Sequence, residues 1–280
     1  MFRETKILAV IASLGLAGAA QAATAVDLND WTAESYQAVS GFGAGNWVPA
    51  SDGSFVTQTV NGQPTIYYSD FTAYGTKATG KIQVLSSAGD DDFIGFVIGF
   101  NGGDTTNGAA DYLLLDWKKS TQYYDFGTPS TTPGGDAPVG LALSRVTGIP
   151  TADEFWVHTD FPLHTDGGLA ELQRGLTLGS TGWQHGTEYE FSFDFGPHNL
   201  QVFVNGTKEI DVTGDFSNGS LGFYNFSQQN VRYSAFTTEE GSFPGVSGVP
   251  EPASWAMMIG GFAMIGTMMR QRRRDEQRVS

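Results

Sequence analysis

Apolar and polar side chains alternate along much of this chain. Tyr189, Phe191, Phe193 and Phe195 fall on one parity, and Glu188, Glu190, Ser192 and Asp194 on the other. Successive residues of a strand face opposite ways, so this segment predicts an antiparallel strand with an aromatic inner face and a hydrated outer one. Residues 202–204, then Asn205-Gly206, then 207–212 predict a hairpin, because Asn-Gly accepts the positive φ of a type I′ turn. Residues 93–100 form an unbroken apolar run and 112–117 one interrupted only by Asp116, the pattern of strands covered on both faces. Further strands are expected over 65–71, 81–86, 139–146, 221–226 and 231–237. Only 151–157 and 170–174 offer weak helical or irregular segments. The longest loop, 127–138, carries three prolines and is a natural place for a binding loop. Many short strands separated by turn signals imply an all-β antiparallel β-sandwich of the jelly-roll type over residues 24–238.

The two ends of the chain follow a different pattern. Arg3 and Lys6 precede an apolar stretch over 7–16, and Ala20-Gln21-Ala22 forms a small-residue cleavage site. That order is expected of a secretory signal peptide over 1–22. A Gly/Ser/Pro linker over 239–249 leads to Pro250-Glu251-Pro252, Trp255-Ala256, an apolar run to Met269, and Arg270, Arg272, Arg273 and Arg274. The run of 15 residues at 255–269 spans about 22 Å as a helix, short of a hydrocarbon core of about 30 Å. Including 252–254 and letting Arg270 snorkel closes much of the gap. The arginines resist translocation, so the expectation is a transmembrane helix in the inner membrane with the body outside it.

Composition narrows the choice of partner. Residues 24–249 hold eight basic and 26 acidic side chains, a net charge of −18. That balance argues against nucleic acid and anionic membrane surfaces and favours cations such as Ca²⁺. There is no cysteine, so an exported body must rely on its apolar core, and 36 aromatic residues supply it.

Three sets of residues could carry chemistry. Asp90-Asp91-Asp92 places three carboxylates side by side against an apolar strand, which calls for either full hydration or a cation. Asp116 is a further candidate ligand of the same Ca²⁺. A solvated turn is the competing reading of the triplet. Tyr123, Tyr124 and Asp125 open the longest loop, where exposed rings could stack on sugars and a carboxylate could accept their hydroxyls. Catalysis is not expected. Retaining glycosidases on such sandwiches need paired carboxylates about 5–5.5 Å apart, and their Glu-x-Asp-x-x-Glu strand is missing here. His158, His164, His185 and His198 show no metal-motif spacing, and no G-x-S-x-G elbow occurs.

Two resemblances extend this reading. The tail, with Pro250, Glu251, Pro252, Trp255 and the arginine run, resembles the PEP-CTERM sorting signal in its PEPxxWA variant, over 250–275. That implies recognition and processing by an exosortase, and a place at the cell surface or in the matrix of a polysaccharide-producing biofilm. The body over roughly 85–237 resembles the thrombospondin C-terminal domain. The likeness rests on 90–100, 112–118, 121–124, 140–143, 155–159, Gly182-Trp183 and 221–228. It implies a concanavalin-like, L-type-lectin sandwich that binds calcium, here without that family's cysteine or preceding calcium repeats. Together these readings describe a non-enzymatic exported protein that adheres to extracellular polysaccharide. The alternatives are a purely structural matrix component and a polysaccharide-degrading enzyme.

Overall fold

A computed structural model of the chain describes residues 23–39, 41–86, 89–129 and 134–240. The signal peptide, most of the linker and the sorting tail lie outside the described residues. Among the described residues, no helix is long and apolar enough to cross a membrane.

Two antiparallel sheets face each other. The first runs Thr207–Thr213, Asn199–Val204, Glu188–Gly196, Thr76–Val84, Val231–Glu240, Phe55–Gln58 and Trp47–Pro49, with Thr24–Ala25 also paired to Val231–Glu240. The second runs Gly167–Arg174, Gly140–Gly148, Asp111–Lys118, Phe93–Phe100, Ser220–Phe226, Thr65–Thr72 and Thr32–Ser35. The aromatic parity of 188–196 points where its alternation requires, since Phe191, Phe193 and Phe195 are buried and the outer parity is partly or fully exposed. Phe96 packs edge-on against Phe193 at 4.6 Å between ring centroids and joins the two sheets. Asn205 and Gly206 both take positive φ, as the hairpin turn demands.

All eight residues of Phe93–Phe100 are buried. One parity (Ile94, Phe96, Ile98) belongs to the core between the sheets, together with Leu113, Leu115 and Trp117 of Asp111–Lys118. Phe93 and Val97, on the other parity, belong to a second core on the outer side of the second sheet, and Phe100 joins them because the positive-φ Gly99 breaks the alternation before it. That outer core is roofed by the helix Ala152–Val157, through Phe155 and Trp156. The helix starts at a capping box: Thr151 accepts from the Glu154 amide, and Glu154 accepts from Thr151.

The structure differs from the expected elements in three places. Residues 170–174 lie within an edge strand, Gly167–Arg174, paired with Gly140–Gly148. Their helix-forming composition is overridden by that pairing. The last strand runs to Glu240, two residues into the expected linker, and Lys77 pairs with Glu239 at 3.4 Å. Residues 24–58, outside the strands expected above, supply short strands to both sheets.

Candidate cation and ligand site

Residues 90–92 form the approach to the central strand Phe93–Phe100. Oxygens from Asp90, Asp91 and Asp92 lie within 4.8 Å of one another. The three carboxylates differ in setting: Asp90 and Asp91 are half-buried, and Asp92 is buried. Asn61 donates to Asp90 at 2.5 Å, Ser120 donates to Asp91, and the Asp92 amide donates to Gln228 at 2.9 Å. Burial pushes the Asp92 carboxyl up to about 7 even though a neighbouring cation pulls the other way.

That cation is Lys118. It ends the neighbouring strand on the outward parity and is fully buried. Its ammonium donates to the Asp92 carboxylate and, at 3.1 Å, to Gln122 Oε1, with the Trp156 ring 4.5 Å away. Removing one member of such a buried pair costs about 3–5 kcal/mol, because the other charge is left stranded. The triplet thus has an internal cation at its deep end and two carboxylates at its mouth.

Asp116 does not join this group. It sits two residues earlier on the same strand face, fully buried, with His158 Nε2 3.0 Å from Oδ2. His158 Nδ1 lies 3.5 Å from Glu171, which also pairs with Arg174 at 3.2 Å. Burial lowers the imidazole pKa, but the Asp116 charge and hydrogen bond, aided by Glu171, outweigh it and hold the value at about 9. With a carboxylate at each ring nitrogen, His158 has no free lone pair with which to activate a nucleophile. Asp116 Oδ1, Ser144 Oγ and Tyr224 Oη are buried without hydrogen-bond partners. The first is the only donor atom Asp116 has left for a cation or water.

The other candidate residues stand beside the triplet. Gln122–Tyr124 pairs with Gly135–Ala137 in a two-stranded ribbon. Trp156 Nε1 lies 3.2 Å from the carbonyls of both Gln122 and Gly135 and fixes the ribbon over the outer core. Tyr123 is 59% exposed, whereas Tyr124 packs on Phe126 at 4.5 Å and on Phe42 at 5.7 Å. Asp125 turns back to accept from the Gly127 amide at 2.7 Å. Gln122 therefore links the ribbon to Lys118, and through it to Asp92. Trp47, Trp117, Trp156 and Trp183 are all buried and offer no ring face to solvent. Glu188 is paired with Lys81 at 2.6 Å on the outer face of the first sheet.

Sequence reasoning missed Asn61, Ser120, Gln122 and Gln228. Lys118, a lysine closing an apolar strand, was the available signal for the contact with Gln122, since a charge in that position requires a partner.

Residues 43–240, which contain the triplet, Lys118 and the ribbon, match the family model described as the thrombospondin C-terminal region. The chain belongs to that family. The thrombospondin C-terminal match reaches further towards the N-terminus than the resemblance over 85–237, and it takes in the edge strands from Trp47 onwards. Thrombospondin-4 of Bos taurus is 27% identical over 203 residues, covering 68% of this chain and 19% of that protein. Thrombospondin-4-B of Danio rerio is 24% identical over 201 residues, covering 68% and 20%. The chain thus spans about a fifth of the length of these curated relatives. Among solved structures, the carbohydrate-binding module CBM66 from Bacillus subtilis is similar with a TM-score of 0.48 and 10% identity, over 75% of this chain and 96% of that one. The Ca²⁺- and mannose-bound exoplasmic domain of VIP36 is similar with a TM-score of 0.44 and 9% identity, over 78% and 85%.

Proposed function

We propose that this chain is an exported, non-enzymatic surface or matrix protein whose thrombospondin C-terminal sandwich adheres to extracellular polysaccharide. The observation that carries the reading is the junction at Lys118. It joins an acidic triplet with two outward carboxylates to a ribbon that presents Tyr123. Tyr123 offers a ring face to a sugar. Asp90 and Asp91 supply the hard oxygen donors that Ca²⁺ takes, and Asp92 shares its charge with Lys118. Bound there, Ca²⁺ neutralises the mouth of the triplet and braces the turn beneath the ribbon. Asp116, bonded to His158 and apart from the triplet, is left out of this calcium shell. The signal peptide, the PEP-CTERM tail and its exosortase belong to the same proposal and account for export, passage through the inner membrane and final placement.

A polysaccharide pull-down with purified protein tests this, in Ca²⁺ and in EDTA. Retention on exopolymer is expected in Ca²⁺, with at least about tenfold loss for Tyr123→Ala, and the melting temperature should rise with Ca²⁺. A melting temperature indifferent to EDTA removes calcium from the proposal. Failure to retain any polysaccharide leaves a purely structural matrix protein. Release of reducing ends from β-glucan would make it an enzyme.

A further inference from the structure

A separate cleft of about 440 Å³ opens on the outer side of the second sheet. It lies between residues 36–39, the Gln63-Pro64 corner and the first turn of the helix Ala152–Val157. Its walls are tied to one another before any ligand arrives. The Tyr36 amide donates to Pro64 O at 2.9 Å, and the Ile149 amide donates to Asp166 O at 3.0 Å. His164 Nδ1 lies 2.8 Å from Glu154, the carboxylate that also holds Thr151. The volume falls within the range of preformed small-molecule sites.

The lining selects a class of ligand. Among the described residues, no lysine or arginine lines the cleft, so it is not built for phosphates or carboxylates. Phe155, Pro64 and Pro150 provide apolar surface, while Asp166 at the exposed rim and His164 provide polar atoms. Gln63 is the decisive residue. It is 2% exposed, and its amide nitrogen has no hydrogen-bond acceptor. Bulk water does not reach that nitrogen, and a buried donor without a partner is unusual enough to require a reason. Gln63 lines the cleft, so a turn of its amide towards that space brings the nitrogen to a ligand hydroxyl, the missing acceptor. Apolar ring faces with hydroxyl edges and no charge describe a neutral sugar.

We propose that this cleft is a second carbohydrate site, distinct from the Tyr123 ribbon, that takes one end of a neutral glycan with Gln63 as its buried hydrogen-bond anchor. The proposal rests on the polysaccharide-binding reading for its ligand class, and on the cleft alone for its location. Methyl glycosides of glucose, galactose and mannose serve as probes, in saturation-transfer NMR with the purified full-length protein. At least one should receive saturation, and Gln63→Leu should weaken it by about tenfold. Ala38→Trp places bulk at an exposed position of the wall and should abolish the signal without moving the melting temperature. Tyr123→Ala should leave it intact. Silence from all three glycosides, or a signal unmoved by both Gln63→Leu and Ala38→Trp, overturns the site. Polymer retention that depends on Tyr123 but ignores Ala38→Trp keeps the adhesion reading and removes the cleft. Glycosides that bind in the cleft of a protein retaining no polymer do the reverse.

Discussion

His158 closes the helix Ala152–Val157 from a left-handed backbone position, φ 55°, and its ring is buried against Asp116 and Glu171. The same ring packs on Phe93 at 5.2 Å, so one residue joins the roof helix to three strands of the second sheet. Its raised pKa has a direct consequence for stability. Between about 6.5 and about 9 the folded chain holds a proton on this ring that the unfolded chain has released. The pair's contribution is therefore complete below about 6.5 and is lost as pH rises through about 9. On the order of a few kcal/mol is at stake for a fully buried imidazolium of this kind. Calorimetry should show a melting temperature that declines from pH 7 to pH 9.5. His158→Gln should lower stability at pH 6 and remove most of the decline. A native profile that stays flat across this window would show that the ring is neutral in the fold.

The strand Phe93–Phe100 is the element on which both cores depend, and Gly95 is its tightest point. A Cβ there would lie 2.0 Å from Leu115 O and 2.8 Å from Asp116 Cα. Both are backbone atoms of the paired strand, so nothing at the end of a flexible side chain can yield. Gly95→Ala must separate the pairing between Gly95 and Asp116, and the expected loss is at least about 3 kcal/mol in urea unfolding. A loss under about 1 kcal/mol would mean that the strand pair is looser than its register implies. This element was legible in the sequence because eight consecutive apolar or glycine residues leave few other readings. The strand Glu188–Gly196 was legible through alternation alone. Gly167–Arg174 was not, because Ala170, Glu171 and Leu172 are exposed and carry helix propensity, and only pairing with Gly140–Gly148 makes them a strand. The same limit applies to the site. Asp90-Asp91-Asp92 is visible as a run of charge. Lys118 lies 26 residues along the chain from Asp92, and Gln228 lies 136 away, and only the sheet brings them together.

At the scale of the whole molecule, the last strand sets the direction in which the body faces. Val231 pairs with Val84, near the triplet and beside Gln228, which holds the Asp92 amide. Glu240, at the strand's other end, pairs with Thr76, and Thr24 pairs with Thr238 close by. Ten strand residues separate these poles, about 30 Å at the rise of an antiparallel strand. The segment leading to the tail therefore leaves the sandwich at the pole opposite the triplet. A body of net charge −18 is also held away from anionic lipid by repulsion. Under the proposed sorting route, the tethered protein presents its acidic site outward before processing. Replacing Pro250, Glu251 and Pro252 with alanine should leave the apolar run and the arginines intact while removing the processing signal. The variant should then stay in the inner-membrane fraction at full tail length, while the native chain appears outside the cell in a shortened form. Spheroplasts carrying the variant should still retain labelled exopolymer in Ca²⁺, because the tether and the site occupy opposite poles. Identical fractionation of the two chains would remove the sorting proposal. Membrane-held variant that binds polymer only after detergent release would show instead that the site faces the lipid.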